Sequence, residues 1–174
     1  MLNPIHFMLK YDKSLGTFKI KNYQGSGIYI QCEKKMILNN NSLFSFASTL
    51  IHVKINSEQN HESEIILTVI HGINKDKQYI FSPRNNNIIQ IGRVKDFDNS
   101  IDIEFNDERV SHLQTKLFYY RNKWFIIDGN GLEKKSGNGT WLLLDDYTNV
   151  WDGCIFCFGN ERFKIEYKEE EKYF

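Results

Sequence analysis

Short runs of strand-forming residues follow one another along the chain, and the spacing of an amphipathic helix is nearly missing. The clearest runs are Gly27-Ile28-Tyr29-Ile30-Gln31-Cys32, Ile65-Ile66-Leu67-Thr68-Val69-Ile70, Lys77-Gln78-Tyr79-Ile80-Phe81, Ile101-Asp102-Ile103-Glu104-Phe105, Lys116-Leu117-Phe118-Tyr119-Tyr120 and Trp124-Phe125-Ile126-Ile127-Asp128. Each is short, β-branched or aromatic, and fenced by turn residues. The turns read Asn85-Asn86-Asn87, Arg121-Asn122-Lys123 and Asp128-Gly129-Asn130-Gly131, rich in residues that tolerate a left-handed backbone. Many short strands without helical crossovers predict an all-β chain, and a β-sandwich rather than a parallel α/β sheet.

One stretch breaks the pattern. Asn56-Ser57-Glu58-Gln59-Asn60-His61-Glu62-Ser63-Glu64 has no large apolar side chain, which predicts a linker over 56–63 between two strand-rich regions. An internal repeat agrees with that division: a shift of 112 positions lays Gly25-Ser26-Gly27-Ile28-Tyr29-Ile30 on Gly137-Asn138-Gly139-Thr140-Trp141-Leu142. The same shift lays Leu43-Phe44-Ser45-Phe46 on Ile155-Phe156-Cys157-Phe158, and Ile51-His52-Val53-Lys54-Ile55 on Phe163-Lys164-Ile165-Glu166-Tyr167. The expected organisation is therefore a partial repeat over 1–55, a linker over 56–63, a complete domain over 64–168 and a charged tail over 169–174.

Composition narrows the function. The 174 residues are 41% hydrophobic, enough for a real core, and 22 Lys+Arg balance 22 Asp+Glu. Net charge zero argues against a duplex nucleic-acid binder or a membrane-surface protein. No apolar stretch approaches the roughly 18 residues of a membrane span, and the first ten residues lack the layout of a secretory signal. The three cysteines, Cys32, Cys154 and Cys157, are too few for a disulfide framework. These features point to an intracellular protein, cytoplasmic or nuclear. Cys154-x-x-Cys157 has no second ligand pair to complete a zinc site, and in the repeat its cysteines fall opposite Ser42 and Ser45.

Candidate chemistry gathers in three turns of the second region: Ile91-Gly92-Arg93, Arg109-Val110-Ser111-His112-Leu113-Gln114 and Lys134-Lys135-Ser136-Gly137-Asn138-Gly139-Thr140. In this order and on an all-β background, Gly92-Arg93, Ser111-x-x-Gln114 and Ser136-x-Asn138-Gly139-Thr140 resemble the signature of a forkhead-associated (FHA) domain. Asp102-Ile103, Asp152-Gly153 and Phe158-Gly159 fit the same pattern. The resemblance implies a sandwich of two twisted sheets whose end loops bind phosphothreonine peptides.

Phosphothreonine carries about −1.5 to −2 charge and three strong acceptor oxygens, so a reader needs a charged fork and short donors on rigid loops. Arg93, Ser111 and Asn138 are such a set. By resemblance, Arg93 and Ser111 hold the phosphate and Asn138 bonds the peptide backbone beside it. Gly137 offers a backbone N–H, Lys134 and Lys135 add attraction at longer range, and His112 follows Ser111 as a further contact to the phosphate. Gly92, Gln114, Ser136, Gly139 and Thr140 support the loops. Gln114 stands where the family usually has a histidine, and Gly137 where it often has a hydroxyl. Those departures motivate a second reading, a structural subunit with an FHA fold and an idle pocket.

The first region lacks Gly-Arg and the serine motif, and Ser26 replaces the asparagine, so the same pocket is not expected there. Its apolar residues, among them Phe7, Phe18, Ile28, Phe44 and Ile51, predict a folded half-sandwich whose open face needs a cover. The cover is expected from the second domain, from another chain or, ranked first, from further FHA sequence upstream of Met1, with the 64–174 segment a stable monomer by itself. Other chemistries lack support. Gly129 to Ser136 lacks the Gly-Lys-Ser/Thr ending of a phosphate loop, Asp96-x-Asp98-x-Ser100-x-Asp102 has Ile101 at the glycine position of a calcium loop, and five scattered histidines suggest no catalytic arrangement. The chain thus reads as a non-enzymatic adaptor with no cofactor and no metal.

Overall fold

Alternation along each run decides which side chains turn inward. Ile65, Leu67 and Val69 are fully buried while their neighbours are not, and Ile89 with Ile91, and Trp124 with Ile126, follow the same period of two. In the computed structural model, which describes residues 6–23, 27–56, 63–93, 100–145 and 147–167, the chain is all β apart from one 3-10 turn. The strands are β1 (Phe7–Asp12), β2 (Thr17–Asn22), β3 (Tyr29–Gln31), β4 (Met36–Leu38), β5 (Leu43–Phe46), β6 (Thr49–Asn56), β7 (Glu64–His71) and β8 (Gln78–Phe81). Then follow β9 (Ile88–Gly92), β10 (Ile103–Glu104), β11 (Thr115–Tyr120), β12 (Lys123–Asp128), β13 (Trp141–Leu143), β14 (Thr148–Asn149), β15 (Ile155–Phe158) and β16 (Glu161–Lys164). No helix among the described residues is long and apolar enough to cross a membrane.

The chain divides into two units, and not at the expected linker. One comprises Met1–Gln31 with Leu143–Phe174, the other Cys32–Leu142. The stretch over 56–63, most of which lies outside the described residues, joins two neighbouring strands: β6 and β7 pair antiparallel, Val53 opposite Leu67 and Ile55 opposite Ile65. A polar connection between paired strands has the same composition as a linker between domains, which is why the sequence reading misplaced the boundary. Residues 1–55 likewise are not one body, since residues 32–55 belong with the strands that follow them. The 169–174 tail and Ser26 lie outside the described residues.

The Cys32–Leu142 unit is a β-sandwich. One sheet runs β10-β9-β11-β12-β4 and the other β13-β5-β6-β7-β8. Phe46 on β5 meets Phe105, just past β10, edge-on at 5.3 Å between ring centroids, and both rings are buried. Each such side chain contributes about 1.5–3 kcal/mol when taken out of water. Trp124 is buried beneath β12 with its indole N–H donating to the Ser63 carbonyl, 2.8 Å. The β11–β12 hairpin turns on Arg121 and Asn122, whose φ values of 48° and 61° give the left-handed pair that a two-residue turn between twisted strands requires.

The other unit is smaller. Its strands lie in the orders β1-β2-β14 and β16-β15-β3. Phe7 on β1 packs edge-on against Phe156 on β15, 5.2 Å, around a core that includes Ile20, Ile28, Ile30 and Val150. The Val150 N–H donates to the Phe18 carbonyl and the Leu144 N–H to the Ile28 carbonyl.

Candidate functional site

Three loops of the Cys32–Leu142 unit come together, those after β9, before β11 and before β13. The first two are tied by backbone: the Arg93 N–H donates to the Ser111 carbonyl, 2.9 Å, and the Gln114 N–H to the Ile91 carbonyl, 2.8 Å. Gly92 is required by this approach, because a Cβ at that position would lie 1.8 Å from the His112 carbonyl oxygen.

Gln114 joins the second loop to the third. Its side chain is fully buried. Its Oε1 accepts from the Ser111 N–H, 3.0 Å, and its Nε2 donates to Ser136 Oγ, 2.7 Å, and to the Gly139 carbonyl, 3.1 Å. One amide thus does the bracing expected of a histidine, since it can accept toward one loop and donate twice toward the other.

Beneath Gln114 lies a residue that the sequence reading passed over. Asp128 is fully buried at the end of β12, where its carboxylate accepts from the Ser136 N–H, 3.1 Å, Ser136 Oγ, 2.6 Å, and Thr140 Oγ1, 2.9 Å. Ser136 Oγ also accepts from the Gly139 N–H, 3.0 Å, so its hydroxyl is saturated. Thr140 Oγ1 lies 2.7 Å from Thr115 Oγ1 as well. A signal for this network exists in the chain: Asp128 continues the inward phase of Trp124 and Ile126, and a carboxylate at an inward position needs donors.

The exposed residues rest on that frame. Ser111 Oγ accepts from the Gly137 N–H, 2.9 Å, which leaves the serine's own hydrogen to be donated. Asn138 Nδ2 donates to the Arg109 carbonyl, 2.7 Å, leaving Oδ1 as an acceptor, while the Trp141 indole donates to the Asn138 carbonyl, 3.0 Å. Arg93 Nε is shielded from solvent and has no hydrogen-bond partner among the described residues. Arg93, His112 and Lys134 line a hollow of about 610 Å³ together with Gln90 and Ser100. Gly139, at φ 76°, makes the turn into β13.

Two of the expected site residues, Lys135 and Gly137, are engaged within the protein itself. Lys135 is held by Glu33, Nζ to Oε1 2.6 Å, and does not stand free. Gly137 spends its N–H on Ser111. Arg109 grips Asp107 with two bonds, Nε to Oδ1 3.0 Å and Nη2 to Oδ2 2.7 Å, and reaches Ser48 Oγ at 2.8 Å. The Arg109 side chain, followed by its backbone N–H, holds the Asp107 carboxyl below its usual range. Glu33 and Ser48 come from parts of the chain far from the motifs, so no local signal marks them. Away from these loops, the Cys157 thiol is pushed up by burial, and no group of three or more His, Cys, Asp or Glu side chains among the described residues is arranged to hold a metal. Asp96 and Asp98 lie outside those residues.

A β-sandwich with three loops locked to one another by a buried polar network defines a recognition domain that presents rigid donors. The family model of the FHA domain matches residues 89–159, from β9 through β15. Over that segment the chain is similar to FHA domains, which are phosphopeptide-binding modules for protein–protein interaction. No curated protein and no solved structure matches the chain.

The match spans strands of both units. The segment after β13 lies with the smaller unit, while in the larger unit β13 pairs with β5, Trp141 opposite Ser45 and Leu142 opposite Phe44.

Proposed function

We propose that this chain is a non-enzymatic adaptor that captures a phosphothreonine segment of a partner protein. The observation that carries the reading is Ser111, whose Oγ is held by the Gly137 N–H so that its hydrogen is free to donate, on a loop whose backbone is bonded to Arg93. Arg93 supplies a charged fork with an unpartnered Nε, and the two together match the oxygens of a phosphate monoester. Asn138, fixed through its Nδ2, keeps Oδ1 for a peptide N–H and so sets the register of the bound segment. Lys134 adds positive charge at the hollow, which His112 also lines. Lys135, paired with Glu33, and Gly137, engaged with Ser111, give less than their positions suggest.

The test is calorimetric titration with matched phosphothreonine, phosphoserine and unphosphorylated peptides. Phosphothreonine is expected to bind best, with Arg93→Ala costing at least about 2 kcal/mol. Equal affinity for unphosphorylated peptide, or binding unaffected by Arg93→Ala, refutes the reading. A second reading, an FHA fold used as a scaffold with an idle pocket, is favoured by the engaged Gly137 N–H and the neutralised Lys135. It predicts no measurable binding of any of the three peptides.

A further inference from the structure

The outer face of one sheet of the larger unit carries an apolar row. Leu38, Ile89, Leu117 and Ile126 turn into the sandwich and are buried. Their neighbours Ile37 on β4, Ile88 on β9, Phe118 on β11 and Phe125 on β12 therefore turn outward. Register sets these four side by side: Phe118 lies opposite Ile88 and Phe125, and Phe125 lies opposite Ile37. The row crosses four strands, a span of about 14 Å. Ile88 is 49% exposed and Ile37 43%. Rows on the outer face of the opposite sheet are broken by polar residues, with Leu43, His52, Thr68 and Gln78 in one and Lys54, Ile66 and Ile80 in the next. An unbroken apolar row left in water marks a surface of contact.

Positive charge flanks the row. Lys35, just before β4, places its Nζ 5.9 Å from the centroid of the Phe125 ring, and Lys116 on β11 stands between Gln90 and Ile127 in the neighbouring row. Neither lysine is in an ion pair among the described residues. Lys116 donates to Asn130 Oδ1, a neutral acceptor. Both lysines line a hollow of about 720 Å³ with Ile88, Phe118, Tyr120 and Ile127. The two carboxylates at this hollow are already engaged, Glu33 by Lys135 at 2.6 Å and Glu133 by Asn130 Nδ2 at 2.8 Å. In a chain of net charge zero, an apolar floor edged by lysines complements an acidic partner.

We propose that this face docks an acidic amphipathic helix of a partner protein, with aliphatic side chains along the row and Asp or Glu beside Lys35 and Lys116. The row lies on a hydrogen-bonded sheet whose main-chain groups are spent on one another, so a segment lying across it must satisfy its own backbone, as a helix does. Aliphatic residues at i, i+4, i+7 and i+11 of a helix span about 16 Å, which matches the row. Bases of a single-stranded nucleic acid fit it poorly. Phe118 and Phe125 stack on each other, 5.3 Å between centroids and 14° between planes, and Lys35 lies over the Phe125 ring, so the ring faces that bases would need are occupied. A second copy of the chain is opposed by charge, because a two-fold contact sets the same lysines against themselves. This contact uses none of the residues assigned to the phosphate.

The probe is a synthetic helical peptide of about 18 residues with Leu at i, i+4, i+7 and i+11 and Glu on either side of that stripe. It is titrated into the isotope-labelled 174-residue protein and followed by NMR, beside the same peptide with Lys in place of Glu and an oligothymidylate. Saturable shifts are expected in β4, β9, β11 and β12, with the Ser111 and Asn138 loops unmoved and the lysine peptide about tenfold weaker or more. Ile37→Ser and Ile88→Ser, both at exposed positions, should each weaken the acidic peptide about tenfold, and Lys35→Glu combined with Lys116→Glu should reverse the preference between the two peptides. Equal binding of both peptides, no binding of the acidic one, preferential binding of the oligothymidylate or shifts confined to the loops overturns the proposal. Self-association of the chain alone that Ile88→Ser abolishes places a second copy on this face and also overturns it.

Discussion

Gln114 concentrates the rigidity of three loops in one buried amide. Removing it strands the Ser111 N–H and the Gly139 carbonyl in a site from which water is excluded, and takes one partner from Ser136. Gln114→Ala is therefore expected to lower unfolding free energy by about 2–3 kcal/mol, the cost of leaving buried polar groups unpaired, as read from urea denaturation. Phosphopeptide affinity should fall with it, although Gln114 is buried beneath the loops. The motif made this residue visible in the sequence, and in place of the histidine its amide offers one acceptor and two donors to the loops. Asp128 was legible in principle and was missed, since its inward phase at the end of Trp124-Phe125-Ile126-Ile127-Asp128 signals a buried carboxylate. The Glu33 partner of Lys135 was not legible, because nothing local links residues so far apart.

The Arg109 turn before β11 carries an ion pair between Arg109 and Asp107. Asp107 has its folded pKa depressed below the ordinary 3.8 by Arg109, whose own charge is reinforced in return. A depressed carboxylate stabilises the fold fully above its unfolded pKa, and that contribution disappears as pH falls through the lower, folded value. The Asp107 carboxyl should therefore titrate below 3.8 by NMR, and Arg109→Ala should return it to the ordinary range. The Arg109 guanidinium is exposed to solvent, so the midpoint should also rise with added salt. At the level of strands, alternation and turn chemistry marked β3, β7, β8, β10, β11 and β12 from the sequence, and did not single out β2, β4 or β14. What they could not assign was partnership. Leu43-Phe44-Ser45-Phe46 and Ile155-Phe156-Cys157-Phe158 offer the same alternation, and only the folded chain distinguishes which of them lies beside β13.

The larger unit takes its strands from residues on both sides of the 56–63 connection, so its boundaries, not those of the sequence motif, define what folds. A fragment of residues 32–142 should be a cooperative, monomeric β-protein with the three loops intact, as judged by sedimentation and thermal unfolding. A fragment of residues 64–174 loses β4, β5 and β6, uncovers Leu67 and Val69 on β7, and should associate or remain incompletely folded. The reverse result would reinstate the 64–168 domain.

The identical registers of β3 with β15 and of β13 with β5 carry a consequence for how the chain reaches this state. Cys157 faces Tyr29 as Ser45 faces Trp141, so β5 and β15 are competing partners with almost the same face to offer. During refolding, β3 is expected to meet the nearby β5, and β13 the nearby β15, before either finds the distant strand it holds in the native fold. Local closure wins early because short loops cost less entropy, and each local pair must open again before the native one forms. Stopped-flow refolding of the whole chain should therefore show a slow phase beyond the millisecond-to-second range of small β-sandwiches. The same phase should vanish from residues 32–142, where β3 and β15 are gone and β13 has one candidate left.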